Sequence, residues 1–268
     1  MKPAAQALHR SDDSPPAGHA VHELTVDDLT VSRGGRTVVR GVDLRVAAGE
    51  IVSLLGPNGS GRSSTILAVA GLLPCDGGTV SLGGRSLVGR RPDRIRREGL
   101  STVLENHRVL ADLTVHDNLK VAGGRRGDVR RGRIDRVLAT FPELEAHLDR
   151  PAGQLSGGQQ QMLALGQALA SEPSFLLIDE MSMGLAPVVV NRLLEVLRTL
   201  AADGIGVLLV EQFAHLALGI SDRAYVMARG QIVYAGVAAE LHADADLLHR
   251  LYMGIGTDEE PAPPTNGA

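Results

Sequence analysis

The chain reads as an α/β protein built on a mainly parallel sheet covered by helices on both faces. Three observations lead there. Short apolar runs at 51–55, 175–178 and 207–210 have the length and character of strands buried on both sides. Helical stretches at 63–73, 156–171 and 187–201 separate them, and such alternation implies parallel pairing. Each apolar run ends in a polar segment: a glycine loop, then Asp179-Glu180, then Glu211-Gln212. Ligands of such sheets sit at the carboxyl ends of the strands, so three separate segments point to one edge.

Taken in order, residues 24–31 and 42–46 read as short strands around the turn Arg33-Gly34-Gly35-Arg36. The run 51–55 meets the glycine loop at once. The helix that follows ends before Pro74. Residues 79–82 and 86–88 flank Gly83-Gly84, a hairpin signal. Residues 90–154 are rich in Arg, Glu and Asp, with apolar residues at helical spacing in Ile134, Val137, Leu138 and Phe141. They read as a mostly helical insertion. Its arginines (Arg125, Arg126, Arg130, Arg131, Arg133, Arg136) fit a solvated helix face better than a partner patch. The polar ends, 1–22 and 254–268, are expected to be disordered tails around a domain spanning 23–253.

Composition narrows the function classes. Of 268 residues, 44% are hydrophobic, as in ordinary globular proteins. Net charge is −4, which gives no reason to expect a nucleic-acid partner. The single cysteine, Cys75, has no internal disulfide partner and fits a reducing compartment. The first residues hold no apolar core of a secretory signal. No apolar stretch approaches the roughly 18 residues needed to span a bilayer. Any membrane role therefore passes through a partner. Basic residues are almost all arginine; the only lysines are Lys2 and Lys120.

The glycine loop is Gly56, Pro57, Asn58, Gly59, Ser60, Gly61, Arg62, Ser63 and Ser64. It is close to G-x-x-x-x-G-K-[ST], with Arg62 in the lysine position. Between a strand and a helix, its backbone N–H groups suit phosphates, aided by the positive end of the helix. Ser63 suits Mg²⁺ and Ser64 an inner phosphate. Alone, the loop reads equally well as a glycine-rich turn without ligand. Asp179-Glu180 suits Mg²⁺ and an attacking water, although alone it reads better as an acidic strand end. LSGGQQQ begins at Leu155; Ser156 and Gln159 form a capping box, which by itself implies only a well-capped helix. Gly157 and Gly158 leave that helix start bare for an anion.

Together the three segments resemble the ATP-binding cassette (ABC) ATPase family. GPNGSGRSS resembles its Walker A loop, LSGGQQQ its signature and FLLIDE its Walker B strand. The resemblance runs from about residue 24 to 236. Three stretches are similar to the second ATP-binding subunit of branched-chain amino-acid (Leu/Ile/Val) importers: LSGGQQQMLALGQALASEPSFLLIDEMSMGLAP, VLENHRVLADLTVHDNL and LLVEQFAHLALGISDRAYVMARGQIVYAG. The resemblance implies a P-loop NTPase fold: a mainly parallel core, an antiparallel β subdomain and a helical subdomain at about 91–155.

It also implies roles. Two cassettes pair head to tail, a copy or a different subunit, beneath transmembrane permeases at the cytoplasmic face of the membrane, with a solute-binding protein acting indirectly. The loop holds ATP in cis. Ser156, Gly157, Gly158 and Gln159 clamp the γ-phosphate in trans. Ser63, Asp179 and Glu105 attend Mg²⁺, Glu180 is the general base, and Gln212 stands where many members have a switch histidine. His215 reads as a helix-face residue. Departures from the family pattern are Arg62 for lysine, Met181 for proline, Asn106-His107 for Gly-Arg and Phe213 for asparagine. Arg33 occupies or borders the place of an adenine-stacking aromatic; a stacked guanidinium and a solvated turn charge fit it equally. Two functions follow: an ATPase energising an importer, or a degenerate cassette that binds nucleotide and completes a dimer. A cassette acting on nucleic acid would carry a second cassette or a long coiled-coil insertion, and neither is present.

Overall fold

The computed structural model describes residues 23–104, 109–124 and 127–253. β1 (Glu23–Arg33) and β2 (Arg36–Ala47) form an antiparallel hairpin around Gly34-Gly35. β3 (Ile51–Leu55) leads to α1 (Arg62–Val69). β4 (Gly77–Leu82) and β5 (Arg85–Ser86) form the hairpin expected at Gly83-Gly84. Next come α2 (Pro92–Arg97), β6 (Leu100–Val103), α3 (Val115–Gly123), α4 (Asp128–Thr140) and α5 (Gly157–Leu169). Strands and helices then alternate through β7 (Phe175–Asp179), α6 (Pro187–Ala202), β8 (Gly206–Val210) and α7 (Ala214–Leu218). β9 (Arg223–Ala228), β10 (Gln231–Val237), α8 (Ala238–Ala243) and α9 (Ala245–Met253) follow.

Two sheets result. The larger has the order β10-β9-β3-β8-β7-β6; its strands are parallel except β10, which closes one edge as an antiparallel hairpin. The smaller, antiparallel sheet has the order β2-β1-β4-β5. Every residue of β3, β7 and β8 is buried. Alternate side chains serve opposite cores, because successive residues of a strand face opposite ways. Ile51, Ile178 and Leu209 enter a core shared with Leu119, Leu163 and Leu193 of α3, α5 and α6. Val52, Leu177 and Leu208 enter a second core with Ile66 of α1 and Val26 and Leu44 of the antiparallel sheet.

One sequence expectation is corrected. Residues 90–154 are not helical throughout: β6 joins the large sheet, pairing Leu100 with Phe175 and Val103 with Ile178. LSTV is too short and too polar to stand out among arginine-rich helices, and only pairing with β7 makes it a strand. The arginines here are partly committed. Arg133 donates to the Gly123 carbonyl (3.0 Å) and pairs with Glu172, as does Arg136. Arg125 and Arg126, like both terminal segments, lie outside the described residues.

Candidate functional site

β3, β7 and β8 end side by side, so the segments after them share one edge of the sheet. The loop after β3 is set by close approaches. Gly56 has φ +147°, and a Cβ there would stand 2.1 Å from the Met227 carbonyl oxygen. Gly61 has φ +111°, and its Cβ would stand 2.6 Å from the Val38 oxygen. Neither position accepts a side chain. The turn is tied by the Ser60 amide donating to Pro57 O (3.1 Å) and the Gly230 amide donating to Ser60 O (2.8 Å). Gly61 starts α1 without a side-chain cap, so the N–H groups of that helix end are available. Ser60 Oγ is buried and has no partner among the described residues. Asn58 and Gly59 are exposed, and Ser64 is buried.

Arg62 binds the edge together. Nη1 donates to the Glu211 carbonyl at 2.7 Å; Nη2 donates to Glu180 Oε1 at 3.2 Å and to Asn58 Oδ1 at 3.3 Å. Its side chain is 4% exposed and that of Glu180 11%. A guanidinium suits this place because its fork meets several acceptors at once, where an ammonium is a point charge. Glu180 itself has φ +49°, an uncommon conformation for a non-glycine residue. Its amide donates to Val210 O at 2.9 Å. Ser63 Oγ donates to Asp179 Oδ1 at 3.5 Å, and Asp179 is buried.

The Glu211 side chain is also buried. Oε1 accepts the Ser182 amide (3.1 Å) and Oε2 the Ser182 hydroxyl (2.6 Å). Burial raises its pKa, against the pull of these hydrogen bonds, and the Glu180 charge raises it further. Gln212 and Phe213 are exposed. Not every expected residue gathers here. Ser156, Gly157, Gly158 and Gln159 start α5, and no hydrogen bond among the described residues joins them to the loop. The capping box is present: Gln159 N donates to Ser156 Oγ (3.3 Å), and Ser156 N donates to Gln159 Oε1 (3.0 Å). Gly158 packs on Val189 of α6. Arg33 is exposed at the end of β1. Nearby, a cavity of about 680 Å³ beside Gly59 is lined by Arg36, Thr37, Val38, Arg40 and Arg229, with no aromatic ring. Glu105, Asn106 and His107 lie outside the described residues.

The sequence profile of the family described as ABC transporter matches residues 39–183. This chain belongs to that family. The match contains the loop, the α5 start and Asp179-Glu180. The chain is 39% identical over 219 residues to the high-affinity branched-chain amino acid transport ATP-binding protein BraG of Pseudomonas aeruginosa, covering 81% of this chain and 94% of that protein. It is 36% identical to the probable branched-chain amino acid transport ATP-binding protein LivF of Archaeoglobus fulgidus, over 80% and 91% of the two chains. An ATP-binding cassette of an ABC transporter, solved in its ADP conformation, matches with a TM-score of 0.78 at 25% identity, over 88% of this chain and 100% of that one.

Two residues of this ABC cassette escaped the sequence reading of its site. From the sequence Glu211 reads only as a strand end beside Gln212, yet Glu211 is buried and Gln212 exposed. Tyr252 lies on α9, and its buried hydroxyl sits by the Gly56 backbone and the Arg62 charge. Burial raises its pKa. Nothing local marks Tyr252, which reads as one more residue on the apolar face of a helix.

Proposed function

We propose that this chain is the ATP-binding and hydrolysing subunit that energises an importer of branched-chain or related amino acids. The observation that carries the reading is the gathering of the glycine loop, Asp179 and Glu180 on one sheet edge, with Arg62 bridging them. The names of BraG and LivF support the substrate class. The residues fit a nucleoside triphosphate. The uncapped α1 start and the unpartnered Ser60 hydroxyl suit phosphate oxygens. Among the described residues no three His, Cys, Asp or Glu side chains gather into a metal site. Ser63 and Asp179, with Glu105, would instead hold Mg²⁺ together with the phosphates, as this ion commonly binds. Bound there, Mg²⁺ would offset phosphate charge.

Glu180 then acts as general base for water, assisted by Gln212. Arg33 borders the base. Ser156, Gly157, Gly158 and Gln159 serve the ATP of a second cassette, either a copy or a different subunit. No helix among the described residues is long and apolar enough to cross a membrane, so permease subunits bring the chain to the cytoplasmic face. A cavity of about 360 Å³ between α2, β6, α3 and α5, rimmed by exposed Leu72, Leu110 and Val121, suits an apolar permease segment.

The Arg62–Glu180 pair favours a second reading, a cassette that binds nucleotide and hydrolyses it weakly. The pair occupies the carboxylate that must take a proton from water and the cation that must meet the phosphates. Both readings are tested by ATP hydrolysis in the assembled transporter. Arg62→Lys is expected to raise turnover by about tenfold, the equivalent of ~1.4 kcal/mol in the barrier. An unchanged or lower rate counts against an impairing Arg62. Glu180→Gln is expected to abolish turnover; a rate equal to wild type supports the non-hydrolysing cassette.

A further inference from the structure

We propose that Glu211 is a positioning residue for hydrolysis, holding both charged partners of the phosphate site from one point. The proposal rests on the ATPase reading above. Glu211 is the first residue past β8, and it is 1% exposed. Its main chain reaches one way: the carbonyl accepts Arg62 Nη1 at 2.7 Å. Its side chain reaches the other way, to the turn directly after Glu180. There the carboxylate accepts the Ser182 amide at 3.1 Å and the Ser182 hydroxyl at 2.6 Å.

Glu180 is therefore clamped on both sides. Its own amide is fixed to Val210, and Ser182, two residues on, is fixed to Glu211. The clamp explains how a glutamate holds φ +49°, since such a conformation persists only where its surroundings over-determine it. The same turn continues through the Leu185 amide to Ser182 O at 3.3 Å and carries Met183, which is exposed.

The test uses the full chain assembled with its second cassette and permease subunits, with Mg²⁺ and ATP, reading single-turnover hydrolysis, ATP affinity and amide exchange at Ser182. Glu211→Ala is expected to slow hydrolysis at least about tenfold, to leave ATP affinity within about threefold, and to speed exchange at the Ser182 amide. Glu211→Gln retains an acceptor for the Ser182 amide and a donor for its hydroxyl, so it should recover most of the rate. Should Glu211→Ala fail to fold, Ser182→Ala decides: it removes the 2.6 Å bond alone, and it should slow hydrolysis at unchanged affinity. Hydrolysis at the wild-type rate overturns the proposal, as does a loss of affinity equal to the loss of rate, or a Glu211→Gln variant no better than alanine. Those results leave the ATPase reading standing. A wild-type chain that, assembled with its second cassette and permease subunits, binds ATP without cleaving it sinks the hydrolytic reading and this proposal together.

Discussion

The loop edge and the start of α5 both present backbone N–H groups of a helix end, yet they are built in opposite ways. At the loop edge, glycines sit where a Cβ would strike neighbouring backbone, and a buried arginine joins residues from three segments. At the α5 start, Ser156 and Gly157 are exposed, and Ser156 and Gln159 satisfy each other within one turn. The loop edge depends on the whole fold and is complete within the chain. The α5 start is tied mainly within its own turn, with Gln159 also reaching His147 (2.8 Å), and the role proposed for it is toward a second cassette.

The contrast breaks if the two ends respond alike to substitution. The largest effect is expected at Arg62. Arg62→Ala leaves Glu180 and the Glu211 carbonyl without their cation, and should cost about 3 kcal/mol of stability, the low end for breaking a buried pair. Urea unfolding measures it, and an unchanged midpoint would show that the pair is already screened by water. Arg62→Lys keeps the charge and should lose far less. Gly56→Ala comes next, at about 2 kcal/mol from backbone strain and the clash with Met227 O. Thermal melting of that variant at the wild-type temperature would mean that the loop relaxes around the methyl group.

At the other end, Ser156→Ala should remove about 1 kcal/mol through the lost cap. Its effect on hydrolysis should appear only when two cassettes meet, so assays at low and high protein concentration separate the two. A deficit already full in the dilute chain would place α5 with the loop edge instead. The smallest effect concerns pH. Glu211 has a raised pKa, with Glu180 and Arg62 as its charged neighbours. A carboxyl raised in the folded state binds its proton more tightly there. Its contribution is thus most favourable below its ordinary value of 4.5 and declines as pH rises through the folded pKa. Glu211→Gln does not titrate, so its stability should fall less than that of wild type as pH rises from 4.5 towards neutrality; parallel curves would contradict the raised pKa.

Much of this was legible along the chain. Buried runs such as 175–178 announce themselves because parallel strands covered on both faces need continuous apolar residues. The Ser156–Gln159 box is legible because its two partners lie in one helical turn. What stayed hidden was non-local. β6 is a strand only beside β7. Glu211 looked like a companion to Gln212, and its weight appears only once Ser182 is seen against it. Tyr252 needed α9 to fold back towards Gly56.

The sequence by itself determined the α/β class, the glycine loop, the capped helix and the convergence of three strand ends on one edge, all of which follow from short-range periodicity and turn chemistry. Tertiary structure alone decided what Arg62 does. Its acceptors Glu180 and Glu211 lie 118 and 149 positions away in the chain, a separation over which residue pattern carries no register. Only the stacking of β3, β8 and β7 brings their ends within the reach of one guanidinium. A residue that reads as a substituted lysine thereby becomes the buried bridge between the phosphate loop and Glu180.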